Sequence, residues 1–389
     1  MNHSSRYRTG VSERKRHSAE TALTHQTHQT HQKKQGSVLF GQQAWQSGMR
    51  VSTLWIGLIA SLALSSCAER EVGAAKLTNY VERLSTAADI DIGMVAGGHD
   101  SSRRVDLPSN LDAASLAATG SLSLIDFLSL SGCELQTNIA KRNTSMGRTA
   151  SASQRLILDL EFLRLAPACV TLMEEKEEYS VANTLRENIE LRRTNLPIRI
   201  FSAILAGPEW RKFWEQPMLL GSYPASASGD SAQALWELSE RVQRFLEHNW
   251  SAADEDLEPL LSSIRANSGG QLLAAAALQS GYLQYASDVL RSAGNEGIYC
   301  KSEAITEAGT ITKTVVAKYF ASDVQRWSAQ VSQRHYEIQP ALIALESRLT
   351  STLPQRYLDW VAQRDALLHR LYAATREHVA VIKKTVNAC

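Results

Sequence analysis

Ser151–Pro167 reads SASQRLILDLEFLRLAP. Ser151 followed three residues later by Gln154 is a capping box, in which a hydroxyl and a side-chain amide satisfy orphan N–H groups at a helix start. Behind it Leu156, Ile157, Leu158, Leu160, Phe162, Leu163 and Leu165 cover nearly every face, and Pro167 is expected to stop the helix. A helix that is apolar all round belongs at the centre of a fold. The segment therefore predicts an all-α protein packed around it.

Working outward, the neighbouring segments supply antiparallel partners. Cys133 opens a short helical stretch that turns back at residues 143–150 and returns through Gln154 to Ala166. Val181 to Leu205 reads as a helix interrupted at Pro197, and Gly207-Pro208 starts a turn carrying Trp210, Phe213 and Trp214. Leu235, Leu238, Val242, Phe245 and Leu246 keep 3/4 spacing, and a further apolar helix runs from Leu272 to Leu290. The last two helices carry the stripes Val324, Trp327, Val331, Ile338, Leu342, Leu345, Leu349 and Tyr357, Trp360, Val361, Leu367, Leu368, Leu371, Val379, Ile382. Pro340 is a candidate kink in the first of them. Their limbs would be about 58 Å and 46 Å long at 1.5 Å per residue. The expected architecture is a multi-helix bundle of antiparallel hairpins with a long C-terminal hairpin. No run of alternating apolar residues argues for a sheet.

The N-terminal part has another character. Leu54 to Leu64 is an apolar run of 11 residues, preceded by Met49-Arg50 and closed by Leu64-Ser65-Ser66-Cys67. A basic start, an apolar stretch of about 7–15 residues and small residues at the cut define a secretory signal, and the Cys after them makes it the lipidated type. A membrane span needs about 20 apolar residues, more than this run offers. Residues 49–66 are thus read as a lipoprotein signal peptide, with lipid on Cys67. Residues 1–48 hold Thr-His-Gln three times from Thr24 and little apolar period, a low-complexity leader. It is either a very long n-region or untranslated, with the start at Met49. Three His without Cys or carboxylate partners do not make a metal site, and neither a metal nor a cofactor is expected.

Beyond Cys67, residues 67–120 are read as an N-terminal helix, with Leu77, Tyr80, Val81 and Leu84 at i, i+3, i+4 and i+7, followed by a linker or extended wrap over 85–120. Residues 121–220 form an N-terminal helical lobe and 221–389 a C-terminal one, divided at the Ser-rich stretch from Gly221 to Ser231. Without residues 1–66 the chain keeps 33 Lys and Arg against 38 Asp and Glu, a net charge of −5. A mildly acidic surface argues against a nucleic-acid partner, since phosphate binding needs clustered cations.

Four cysteines besides Cys67 remain, Cys133, Cys169, Cys300 and Cys389. Four allow three pairings. The hairpin reading favours Cys133 with Cys169 and Cys300 with Cys389, against free buried thiols, in a compartment that keeps such pairs oxidised. Closing each loop would contribute on the order of 4 kcal/mol.

The words Ile125-Asp126-Phe127-Leu128, Gly132-Cys133-Glu134-Leu135-Gln136, Lys141 to Arg148, Ser153-Gln154-Arg155-Leu156 and Pro167-Ala168-Cys169 resemble the Gram-negative lipoprotein family catalogued as domain of unknown function 3080. The resemblance runs across the chain after Cys67. It implies an envelope lipoprotein and supplies no activity. By analogy with lipoprotein sorting, Ala68 after the lipidated Cys implies the outer membrane.

A search for chemistry finds residues without a constellation. Nucleophile elbow, zinc-protease and phosphate-loop motifs are absent from the sequence after Cys67. His99 lies in the linker, and His248, His335, His369 and His378 stand alone on helices. The run Glu174 to Glu178 reads as a solvated face. Asp126, Glu134, Asp159 and Glu161 surround the family words and are the candidates for a carboxylate pair in glycosidic cleavage. The turn Arg142, Asn143, Ser145, Arg148 is the candidate binding loop, because two guanidinium groups flank free backbone donors; the same small polar residues also suit a plain helix connection. Trp210, Phe213 and Trp214 read as core rather than as a sugar platform.

Two functions follow as expectations. The first is a non-enzymatic helical interaction or scaffold protein of the envelope, held at the membrane through Cys67 and facing the periplasm with an envelope protein as partner. The second is a hydrolase or ligand-binding protein acting on cell-wall or lipid material. A cleft lined by Asp126, Glu134 or Asp159 with Arg142 would favour the second, and a filled core with exposed apolar side chains the first.

Overall fold

A computed structural model describes residues 72–90, 104–111, 122–225, 230–250, 257–266, 269–302 and 304–386. The stretches read above as leader and signal peptide, Cys67 and Cys389 lie outside the described residues. The fold is all-α apart from a two-residue ribbon, β1 Cys300–Lys301 and β2 Ala304–Ile305, paired antiparallel.

Helix α1, Val72–Ala88, opens the fold with Leu77, Tyr80, Val81 and Leu84 buried. The four-residue pattern seen in the sequence is its core face. The wrap after it is extended where it is described: Arg211 Nη1 donates to Pro108 O at 2.6 Å and Trp360 Nε1 to Val105 O at 3.4 Å, and Leu111 is buried.

Then come α2 Leu124–Ser129, α3 Glu134–Asn143, α4 Ser145–Thr149, α5 Ala152–Glu175 and α6 Tyr179–Ala203. The capping box at Ser151 and Gln154 is formed. Two proline expectations need correction. α5 passes through Pro167 and α6 through Pro197, so neither proline ends or interrupts its helix. An interior proline removes one hydrogen bond and costs about 3 kcal/mol. At Pro167 the ring lies on the exposed face of the helix and displaces no core side chain. Beyond it Cys169, Val170 and Met173 are buried, and Cys169 is bonded to Cys133 with 5.7 Å between Cα atoms. Gly132, at φ +89°, supplies the left-handed turn that brings Cys133 to that position.

The remainder comprises α7 Pro208–Trp214, α8 Asp230–Leu246, α9 Leu257–Arg265, α10 Gly269–Asn295, α11 Glu307–Val315, α12 Gln325–Arg348 and α13 Gln355–Thr385. A π-helical stretch, Val316–Val324, joins α11 to α12 and turns Phe320 inward. α12 stays continuous through Pro340, whose side is exposed. The long C-terminal hairpin is present, yet its limbs do not bury their stripes mainly on each other. α12 packs chiefly on α8, and α13 on α10. Polar bonds join the limbs instead, Tyr357 Oη to Glu346 at 2.9 Å and Tyr372 Oη to Ser332 O at 3.2 Å. One hydrophobic cluster runs from Leu77 to Val386. Among the described residues no helix is long and apolar enough to cross a membrane.

Candidate functional site

The turn between α3 and α5 is built for closure. Thr144 ends α3 and caps α4: its hydroxyl donates to Lys141 O at 2.7 Å, and its oxygen accepts from Gly147 N at 3.1 Å. A β-carbon on Gly147 would overlap the carbonyl oxygens of Lys141 and Arg142, so only glycine allows the fold-back. Asn143, Ser145 and Arg148 are exposed, as is Met146. Arg142 behaves differently, because its guanidinium turns inward onto Asp159. The turn thus offers Arg148 to solvent while Arg142 belongs to a buried cluster.

That cluster centres on Asp159, 1% exposed on α5. One carboxylate oxygen accepts from Arg142 Nη1; the other accepts from Arg199 Nη1 at 2.6 Å. Arg192 Nε lies 3.6 Å from the first oxygen. The Arg192 guanidinium also sits 3.8 Å over the Phe162 ring and donates to Asn188 Oδ1 at 2.9 Å. Burial, with Arg142 and Arg199 adding repulsion against the attraction of Asp159, pushes the Arg192 guanidinium down to about 10. Three cations thus share one carboxylate. Glu161, beside it, accepts from Asn138 Nδ2 at 2.8 Å and lies 3.8 Å from Lys141. Such an Asp is an acceptor locked by donors, which ties α3, α5 and α6 together.

Two further buried polar groups join distant helices. Arg364 and Glu346 pair in parallel at 2.6 and 2.9 Å, and Arg364 lies about 5 Å from the rings of Trp214 and Trp360. His378 is fully buried between Tyr80 Oη at 2.7 Å and Ser287 Oγ at 2.8 Å. Burial pushes the His378 ring down to about 3, so it is neutral. Ser287 Oγ donates to Leu283 O at 2.7 Å, which leaves it to accept from Nδ1–H while Tyr80 donates to Nε2. Every donor and acceptor is then satisfied. This Ser–His–Tyr chain is therefore a core strut without access for a substrate.

The four carboxylates do not converge on a cleft. Asp126 caps α2 with Ser123, Glu134 is exposed in the first turn of α3, and only Asp159 and Glu161 share the Asn138–Arg142 neighbourhood. Trp210, Phe213 and Trp214 are core; Trp210 stacks on Phe213, and Trp214 meets Trp360 edge to face. His335 bonds Tyr372 Oη at 2.9 Å and its ring is lowered by burial; His248 stacks on Trp250. Two open clefts, of about 670 Å³ beside Arg83 and Glu307 and about 500 Å³ beside His369 and Tyr372, contain none of the four carboxylates. Among the described residues no group of His, Cys, Asp or Glu is placed to hold a metal.

Cys300 is disulfide-bonded, and its partner lies outside the described residues. Sequence reading passed over Arg192, Arg199 and Arg364, although a signal was there. Leu185, Ile189, Arg192, Leu196, Arg199 and Ala203 keep a core spacing of 4, 3, 4, 3, 4, and Arg364 falls in the register of Trp360 and Leu367. A charge at a core position announces a buried partner.

The largest exposed apolar side chains near the family words are on α2 and α4. Leu124, Ile125 and Leu128 are 73%, 77% and 61% exposed, and Met146 is 81% exposed. α2 is nonetheless fixed: a complete capping box holds its start, and Gln136 Nε2 donates to Phe127 O at 3.0 Å near its end.

No curated protein and no solved structure is significantly similar to the chain. The family described as Protein of unknown function (DUF3080) matches residues 77–389. The match takes in the buried face of α1, the disulfide hairpin, the Asp159 cluster and the C-terminal helices, and on that extent the chain belongs to this family of domain of unknown function 3080.

Proposed function

We propose that the protein is an envelope lipoprotein, anchored by acyl chains on Cys67 at the outer membrane and facing the periplasm, that works as a non-enzymatic interaction or scaffold protein. The observation that carries the interaction reading is α2. A six-residue helix with no buried residue displays Leu124, Ile125 and Leu128 to solvent while its capping box, Gln136 and the nearby Cys133–Cys169 bond hold it still. Exposed apolar side chains contribute nothing to folding, and a fixed group of them is what a docking partner buries.

The anchor rests on the signal-peptide pattern ending at Cys67, and the sorting on Ala68. The net charge of −5 after Cys67 argues against nucleic acid as the partner. Photo-crosslinking in cells from position 125 tests the reading, with position 336 on α12 as the comparison. Adducts to one envelope protein are expected at 125, and they should vanish when Leu124 and Leu128 flanking the probe are replaced by Ser. An unmodified chain released from membranes without lipid would sink the anchoring half, and a probe at 125 that never meets protein would sink the other.

A further inference from the structure

Residues 215–223, between α7 and α8, read Glu-Gln-Pro-Met-Leu-Leu-Gly-Ser-Tyr. Both ends of this loop are clamped. Gln216 is buried, and its carbonyl accepts from Arg104 Nη2 at 2.9 Å. A β-carbon on Gly270 would overlap the Glu215 carbonyl, so the start of α10 presses on the loop backbone. Leu220 and Tyr223 are buried, and Tyr223 O accepts from Trp327 Nε1 at 3.0 Å. Between the clamps Met218 and Leu219 are 80% and 61% exposed. Two neighbouring large apolar side chains are thus held outward on a rigid base.

What they face follows from the start of α1. Val72 N donates to Gly221 O at 3.0 Å, so α1 begins against this same loop. The five steps back from Val72 to Cys67 span at most about 18 Å, and the three from Gly221 to Met218 at most about 11 Å. The other end of α1, at Ala88, is about 24 Å away along the helix axis. Lipid on Cys67 would therefore tether the body from the end where Met218 and Leu219 protrude.

We propose that Met218 and Leu219 enter the bilayer beside the acylated N-terminus and fix the orientation of the helical body on the membrane. The occupant of this apolar tip is lipid. Acyl chains on Cys67 alone fix one point of attachment and leave the attitude of the body open; a second apolar contact on the body sets that attitude and with it the direction of the α2 ridge. The inference rests on the lipid anchoring at Cys67 proposed above.

The test uses the acylated full-length protein, purified from membranes with its disulfides intact and reconstituted in vesicles of phosphatidylethanolamine and phosphatidylglycerol. Met218→Cys carries an environment-sensitive fluorophore. Thr86→Cys, exposed near the far end of α1, is the reference, and the protein without either substitution sets the labelling background. Mass spectrometry of the N-terminal peptide reports acylation separately. The expected result is a blue-shifted probe at 218, quenched by nitroxide lipids at least twofold more than the probe at 86. Acylated protein whose 218 probe is as wet and as unquenched as 86 overturns the inference while leaving the anchor standing. A blue-shifted 218 probe that nitroxide lipids do not quench assigns the tip to a protein neighbour, which also overturns it. A chain without acyl groups on Cys67 removes the anchoring reading and this inference with it.

Discussion

Replacing Asp159 by Asn should unfold the protein far more readily than its one-atom change suggests. In the folded state the carboxylate accepts from Arg142 and Arg199 directly and faces Arg192 at 3.6 Å, with Arg199 and Arg192 almost wholly buried. A hydrogen bond to a charged partner is worth about 1.5–3 kcal/mol, and removing one side of a buried ion pair costs about 3–5 kcal/mol because the remaining charge is stranded. Asn keeps one acceptor oxygen, and Arg142, 22% exposed, regains some hydration. The loss should thus sit near the lower bound, about 3 kcal/mol. With an unfolding entropy of about 2.1 cal/mol/K per residue, a body the size of residues 67–389 then loses about 4–5 °C in Tm. Far-UV circular dichroism of urea and thermal melts at neutral pH reads both quantities. Arg192→Met is the counter-test: it removes an excess cation whose charge is already disfavoured by burial, so its loss should be less than half that of Asp159→Asn. If Asp159→Asn loses under about 1 kcal/mol, which is the range of an exposed pair, the cations are not held by this carboxylate and the reasoning fails.

Four other outcomes are expected. Arg148→Ala should leave stability within about 0.5 kcal/mol, while Arg142→Ala loses about 2 kcal/mol; equal effects in chemical denaturation would mean the turn does not divide as described. His378 has a folded-state value pushed down to about 3 from 6.5, so its neutral ring favours folding fully above pH 6.5, and that contribution is lost as pH falls toward 3. Melts between pH 7 and pH 4.5 should show a slope about one proton shallower, about 1.4 kcal/mol per pH unit, in His378→Leu than in the parent; parallel slopes would refute the buried neutral ring. Replacing Cys133 and Cys169 together by Ser opens a loop of sequence separation 36 and should cost about 4 kcal/mol in the chain-entropy treatment, measured as a shifted urea midpoint. Leu124→Ser, Ile125→Ser and Leu128→Ser combined should leave the thermal midpoint nearly unchanged, and a large drop would show that α2 belongs to the core.

The helices themselves were legible because their information is local. A capping box at Ser151, apolar residues at 3/4 spacing on α1, and the Gly132-Cys133 start of a short hairpin each specify structure within a few turns of chain, and the Cys133–Cys169 bond followed from hairpin length alone. Family membership was legible for the same reason, as contiguous words from Ile125 to Cys169. Proline was misread where locality ends. Whether Pro167 stops a helix depends on which face it occupies and on what residues 169–173 bury, and those are decided by α6 and by Cys133.

Long-range polar partners were out of reach altogether. A lone Asp159, His378 or Glu346 looks alike in sequence whether it faces water or a buried partner, since its partners lie 11 to 298 residues away. The same holds for exposure: Leu124 and Leu156 are both leucines in apolar runs, and only packing leaves one at the surface and buries the other. The sequence by itself determined the helices and the first disulfide, because each is written within one hairpin of the chain. Which charges were buried, which stripe met which helix, and which apolar residues stayed exposed were decided by tertiary structure, because solvent exclusion is a property of assembled surfaces.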